Sequence, residues 1–492
     1  MKSWTVSIET REFSTRGLEV RELSGREAIS ELFQFDVTLV RRGRADDGPQ
    51  PGHSATLVFR ERGRVIRQIH GLIAECVERL DDTDSLTVFR LRLVPHVHRL
   101  SLVRLPRVLV GMTVPQILEK KLENANIPGV LRLAEDYAAD SLTVQLKESD
   151  LAFLSRLCEH EGIAFHFEHR TSSGELTDHI VFSDTNEALA PADATLTLKQ
   201  NRRGDRTDVF ALERQSKMTS NYFVVADYCD RRPALDLTAE FEVAEEGAGG
   251  VVEYGSNHSS IEQGLRLARV RGEEAASTRV EYLGQSDAPA ITAARKLKLD
   301  DVDGPSNLEL LVLEVTHRFT TRPAATGSPS SSDDDSPSGG ASLEYENSFR
   351  AIPFTQTFRP PRRTPKPRIV GLVTGIIEAD DDQMRTPWLD QNGRYRVRFH
   401  FDFGHESPRL PCDVRMAQPS AGREGAEPYG IHFPLRPGTE VVVGFLDGDP
   451  DRPIIVGALP NAHGPSPVTS ATPTLSRIVS ANGVVFELND GD

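Results

Sequence analysis

From Arg394 to Asp402 the chain alternates without a break: Tyr395, Val397, Phe399 and Phe401 are apolar or aromatic, and the residues between them are charged or histidine. A period of two puts one set on each face of a strand, so the stretch predicts a half-buried strand. Asn392-Gly393 stands just before it and supplies the positive φ angles of a tight hairpin turn, which sets where the strand begins. Two more apolar runs, 441–445 and 454–458, are joined by Asp447-Gly448-Asp449-Pro450-Asp451-Arg452-Pro453, a segment dense in residues that end a ladder. Short strands, many turns and no long amphipathic helix between Lys366 and Pro460 predict a closed Greek-key barrel of the oligonucleotide/oligosaccharide-binding (OB) type.

The same patterning makes residues 13–95 mostly β. Phe33, Phe35, Val37 and Leu39 alternate with polar residues, a turn-rich stretch covers 41–52, and a strand covers 56–60. A hairpin opens at His70-Gly71-Leu72-Ile73, turns at 81–85 and returns through Val88, Phe89, Leu91 and Leu93 to Pro95. Residues 112–125 predict a helix capped by Thr113, with Pro115 in its first turn and Val114, Ile117, Leu118 and Leu122 on one face. A second helix is expected after residue 149, capped by Asp150 and ended by Gly162, before an alternating strand through Ile163, Phe165 and Phe167. A later hairpin runs from Leu310 to Phe319 and back to Pro353, and like the first it ends in an apolar alternation stopped by proline. Between its arms, 323–341 is Ser, Asp, Gly and Pro, which predicts a disordered loop.

Several blocks carry a family resemblance. Pro367-Arg368-Ile369-Val370-Gly371, Gly393-Arg394-Tyr395-Arg396-Val397-Arg398-Phe399-His400, Pro437-Gly438-Thr439-Glu440-Val441 and Gly448-Asp449-Pro450-Asp451-Arg452-Pro453-Ile454 resemble, in order, the barrel domain of VgrG. VgrG proteins are the valine-glycine repeat spikes of type VI secretion systems, similar in their parts to the hub and spike of contractile phage tails. Residues 149–169, His70-Gly71, Asp227-Tyr228, Leu267-Ala268-Arg269-Val270-Arg271 and 345–365 resemble the same family, so the likeness covers about residues 5–461. Phe401, Asp413 and Pro419 stand where the family usually has Trp, and are read as surface or contact changes.

Charge and cysteine usage narrow the picture. With 57 Lys and Arg against 73 Asp and Glu the formal net charge is −16, which argues against a nucleic-acid-binding surface. Cys76, Cys158, Cys229 and Cys412 lie far apart and predict buried free thiols instead of a disulfide framework or zinc ribbon. Residues 1–11 contain no apolar signal core, and no run reaches the roughly 18 apolar residues of a membrane helix. The expectation is assembly in the cytoplasm without a signal peptide, followed by export through contraction to the extracellular space or a target cell.

Three clusters could carry chemistry, and each has a blander reading. Cys158, His160, Glu161, His166 and His169 crowd a short span but match neither a zinc finger nor the His-Glu-x-x-His of metalloproteases. Asp447, Asp449 and Asp451, and likewise Asp300, Asp301 and Asp303, imitate calcium loops but lack the bidentate Glu at the twelfth position. With no phosphate-cradling loop, dinucleotide fingerprint or Gly-x-Ser-x-Gly nucleophile, the sequence predicts no catalytic, cofactor-binding or metal-ligating residues and no enzyme.

The fold class expected is mainly β with a minor α component. It divides into a first hub β-barrel module at 1–100, an α/β insertion at 101–190, a second hub β-barrel module at 191–365, an OB-fold barrel at 366–461, and a linker with the start of a β-helix needle at 462–492. The resemblance implies a homotrimer whose three chains supply six modules to cap a tube of hexameric rings. Its implied partners are the tube protein, a spike-tip protein, effectors and baseplate components, and it touches the target membrane only mechanically. Because the needle would begin near residue 475 and the sequence ends at Asp492, the trimer is expected to be weaker than one locked by a full needle. The hub of a phage-like injection particle and a spike-borne hydrolase or metalloprotein are the alternatives.

Overall fold

The computed structural model describes residues 4–43, 47–79, 86–172, 175–188, 196–197, 209–243, 248–300, 308–322, 342–379, 386–403, 412–425 and 427–491. The turn expected at 81–85, the loop at 323–341, and Asp301 and Asp303 lie outside these residues. The chain forms two compact units, one of residues 1–103, 114–138 and 149–365, the other of 104–113, 139–148 and 366–492. Among the described residues strands predominate, as the alternations predict.

The first module contributes β1 (Trp4–Glu9), β2 (Leu18–Ala28), β3 (Gln34–Arg42), β4 (Ser54–Glu61), β5 (Arg64–Arg79) and β6 (Leu86–Val94). The insertion that follows holds β7 (Arg107–Leu109), α1 (Val114–Asn124), β8 (Gly129–Arg132), β9 (Thr143–Gln145), α2 (Asp150–Glu161), β10 (Ala164–Ser172) and β11 (Glu175–Ser183). The second module runs through β12 (Leu196–Thr197), β13 (Val209–Ser216), β14 (Tyr222–Ala226), β15 (Ala239–Glu242), β16 (Gly250–Tyr254), α3 (Ile261–Ala276), β17 (Val280–Ser286), β18 (Lys296–Asp300), β19 (Leu308–Arg322) and β20 (Ser342–Pro353). Both modules share one twelve-stranded sheet, in the order β1-β4-β5-β6-β3-β2-β19-β20-β17-β13, with β18 and β12 branching from β19. The seam is the antiparallel pairing of β2 with β19, Glu314 opposite Ala28 through Thr320 opposite Glu22.

The echo between the two long hairpins is structural. In β5–β6 a bulge falls between Ile73 and Glu75, and the next residue, Glu75, pairs with Arg92. In β19–β20 a bulge falls between Val312 and Glu314, and Glu314 pairs with Arg350. Both pairs are ionic, at 2.7 Å for Arg92–Glu75 and 3.2 Å for Arg350–Glu314. A bulge re-aims the strand at one point, so its recurrence with the same charge pair gives the two hairpins a common local frame.

Phe35, Leu39, Leu57, Phe59 and Phe319 fill the first module's core, each stabilising the fold by roughly 1.5–3 kcal/mol on burial. Phe35 lies flat on the backbone of its cross-strand partner Gly25, where a Cβ would stand 2.1 Å from the ring.

The helix ends correct one expectation. Ser149, not Asp150, caps α2: its side chain accepts from the Ala152 N–H at 3.2 Å, while Asp150 is the first helical residue and takes the buried Lys121 ammonium at 2.9 Å. Gly162 ends the helix as expected, at φ 74°. The second module's long helix, α3, was not anticipated.

In the second unit, β21 (Val373–Ile377), β22 (Tyr395–Phe399), β23 (Cys412–Met416), β26 (Glu440–Phe445) and β27 (Pro453–Ala458) close a five-stranded barrel; between β23 and β26 lies a hairpin of β24 (Ala421–Glu424) and β25 (Glu427–Gly430). β7 and β9 of the insertion pair with each other, and Leu142, Val144 and Leu146 join the barrel core. Phe401, read as a surface or contact change, is half-buried and stacks on Phe399 at 4.9 Å. Beyond the barrel, β28 (Leu475–Val479) and β29 (Val485–Asn489) form an antiparallel hairpin.

Candidate functional site

A buried polar network crosses the seam between the modules. Arg67 on β5 grips both oxygens of Glu27 on β2, at 2.6 and 2.7 Å. His317 on β19 stands 2.8 Å from the same carboxylate through Nε2 and 2.6 Å from the Tyr345 hydroxyl through Nδ1. Asn347 donates to that hydroxyl at 3.1 Å and to the Ala288 carbonyl at 2.8 Å. The geometry fits a neutral His317 that donates from Nε2 to Glu27 and accepts the tyrosine proton at Nδ1. Burial lowers the affinity of His317 for a second proton, and Glu27 only partly restores it. For Glu27 burial alone acts upward, but Arg67 and then His317 outweigh it and hold the carboxyl down at about 2. The network thus ties first-module strands to second-module strands through groups that must keep fixed protonation states.

Over this seam lies a broad open trough of about 810 Å³, lined by residues of β2, β3, β5, β6, β19 and β20. Its walls carry both signs, among them Glu22, Asp36, Glu75, Arg90, Arg92 and Arg318. Arg92 bridges Asp36 at 3.0 Å and Glu75 at 2.7 Å, each half-exposed and each contributing at most about 1 kcal/mol. A wide, mixed-charge sheet face suits contact with another protein surface better than enclosure of a small ligand.

The residues singled out in the sequence do not converge. Cys158 is buried in α2, and burial pushes its thiol far up, away from nucleophilic use. His160 faces Arg271 at 3.1 Å, Glu161 pairs with Arg266, and His166 shares its strand face with Glu168 at 3.5 Å. Glu168 in turn is held far below the usual carboxylate range by His166, Arg132 and Arg170. His169 points the other way, accepting the His70 N–H at 3.1 Å; burial lowers its pKa to about 4. In the second unit Lys366 sits 2.6 Å from both Asp449 and Asp451, and Asp451 also accepts the Val144 N–H at 2.6 Å. That aspartate loop is a turn closed by a lysine, as its sequence suggests.

That unit exposes apolar side chains. Along β28–β29, Ile478, Val479, Val485, Phe486 and Leu488 are all exposed, as are Tyr429, Ile431 and Phe433 at β25 and just after it. Contiguous bare apolar surface of this kind marks a contact face.

The phage tail baseplate hub (GPD) family matches residues 26–323, more than half of the chain. The chain belongs to that family. A second match, the type VI secretion system/phage-baseplate injector OB domain, covers residues 373–459 of this hub protein. It is 31% identical over 461 residues to the type VI secretion system spike protein VgrG5 of Pseudomonas aeruginosa, and 29% identical over 468 residues to VgrG4b of the same organism. The alignments cover 90% and 92% of this chain but 55% of each relative, so the chain spans about half the length of the curated proteins it matches. Among solved structures, an Escherichia coli component of the type VI secretion system, described as similar to the T4 bacteriophage tail proteins gp27 and gp5, superposes with a TM-score of 0.63. That likeness, at 22% identity, covers 92% of this chain and all of the other. The expectation of a VgrG-type spike and hub fold, mainly β with a closed OB barrel, is borne out.

Proposed function

We propose that three copies of this VgrG-type protein assemble into the hub and spike of a type VI secretion system. The hub caps the hexameric secretion tube, and the spike punctures a target envelope and carries effectors, alongside a spike-tip protein and baseplate components. The observation that carries this reading is the recurrence of the bulged hairpin, Glu75 opposite Arg92 and Glu314 opposite Arg350, within one continuous sheet. Two such modules per chain give six in a three-chain ring, which matches the symmetry of a sixfold tube. The bare apolar hairpin β28–β29 adds a surface that copies of the chain would cover.

The work of such a device comes from contraction elsewhere, so the chain itself acts through rigidity and interfaces, with no catalytic turnover. Assembly takes place in the cytoplasm, and contraction carries the protein out. Co-sedimentation with hexameric rings of a secretion tube protein tests the capping role. Binding that saturates at one trimer per ring end is expected, and no binding at physiological salt would refute it.

A further inference from the structure

His70, His96 and Asp178 come from three distant parts of the first unit: mid-β5, the turn after Pro95 that ends β6, and β11. One ligand atom from each lies within 4.8 Å of the other two. The two imidazoles are 5.4 Å apart between centroids. Two histidines sharing one tetrahedral ion at about 2.0–2.1 Å would have centroids about 5 Å apart, so the rings already stand at the required separation. His96 Nδ1 and an Asp178 oxygen are in hydrogen-bond contact, and the other Asp178 oxygen accepts the His96 N–H at 2.8 Å.

The second nitrogen of each ring has an outer partner, as in a metal centre. Thr56 on β4 holds His70 Nδ1 at 2.9 Å, and Ser54 on the same strand holds His96 Nε2 at 3.1 Å. His169 accepts the His70 backbone N–H at 3.1 Å and fixes that strand from behind. Such outer hydrogen bonds orient ring ligands and raise their affinity. The Asp178 side chain is 4% exposed and that of His96 18%, so the cluster is enclosed but reachable from solvent.

We propose that His70, His96 and Asp178 form a binding site for one Zn²⁺-class divalent ion, which cross-links β5 of the first module to β11 of the insertion. Two imidazoles and one carboxylate are a borderline N/O donor set of the kind zinc takes, with a fourth position left for water. Binding at His96 Nδ1 takes the place of its hydrogen bond to Asp178 and leaves Nε2 to donate to the Ser54 hydroxyl.

Co²⁺ is the direct probe, titrated into the metal-stripped full chain and followed by its visible absorption. Saturation at one Co²⁺ per chain with tetrahedral-type bands, displaced by Zn²⁺, is expected. Asp178→Asn and His96→Asn should each weaken it at least about a hundredfold while circular dichroism stays unchanged. Should either variant unfold, Thr56→Val serves instead: it leaves all three ligands in place and should weaken binding about tenfold or more. No saturable band, or a band that survives whichever variants fold, would overturn the assignment.

Discussion

Replacing Glu27 by Gln keeps the side chain's size and removes the charge on which the seam network turns. Arg67 is 9% exposed and its Nη2 contacts both oxygens of that carboxylate, so the variant leaves a buried cation without that counter-charge. Breaking a buried pair from one side costs about 3–5 kcal/mol. The pKa points the same way: a carboxyl held at about 2 in the folded state, against an ordinary 4.5, corresponds to about 3–4 kcal/mol at 1.4 kcal/mol per tenfold. Because the folded value lies below the unfolded one, this stabilisation is complete above pH 4.5 and disappears as pH falls through 2. The difference between wild type and Glu27→Gln should therefore be about 3 kcal/mol at pH 7 and shrink toward zero near pH 2. Trp4, buried in the first-module core and 6.3 Å from the Tyr345 ring, reports this unit once Trp388 is replaced by Phe. Urea titrations of that fluorescence at several pH values supply the numbers. The double variant Glu27→Gln/Arg67→Met should recover part of the loss, since it leaves no buried cation unpaired. A loss under about 1 kcal/mol at pH 7, or one that does not depend on pH, would refute the reasoning.

The start of α2 separates a cap from a counter-ion: Ser149→Ala should cost about 1 kcal/mol, whereas Asp150→Asn, which removes the charge beside buried Lys121, should cost about 3 kcal/mol. Urea midpoints of the two variants decide the order, and equal effects would contradict the assignment. In β29, Phe486→Asp should leave the unfolding midpoint of the isolated chain unchanged, because the ring is 60% exposed, yet lower the association constant at least about tenfold by centrifugation.

The barrel was legible because Tyr395, Val397 and Phe399 keep strict phase and the Asn392-Gly393 turn pins their register; Gly393 has φ 73°. The seam network left a fainter trace in the same phase. On β19, Val315, His317 and Phe319 occupy one face, as Tyr345, Asn347 and Phe349 do on β20, so a polar residue on an inward phase was the available signal. Helix α3 was hidden because its buried residues, Gly264, Leu267, Ala268, Val270, Arg271 and Gly272, include two glycines and an arginine among the apolar positions. His70, His96 and Asp178 share no motif, and only the packing of β5, β6 and β11 brings them together. Within the crowded span 160–169, strand alternation sends His166 and His169 to opposite faces.

The central claim is that three copies form one hub, and the mass of the purified chain in solution tests it most directly. Three acidic chains repel one another, each with a formal charge of −16, and salt screens exposed charges over roughly 8–10 Å. Sedimentation equilibrium across a concentration series in physiological salt should give three times the monomer mass, falling to monomer on dilution or at low salt. A stable dimer, or a monomer at the highest concentration, would contradict the six-module ring.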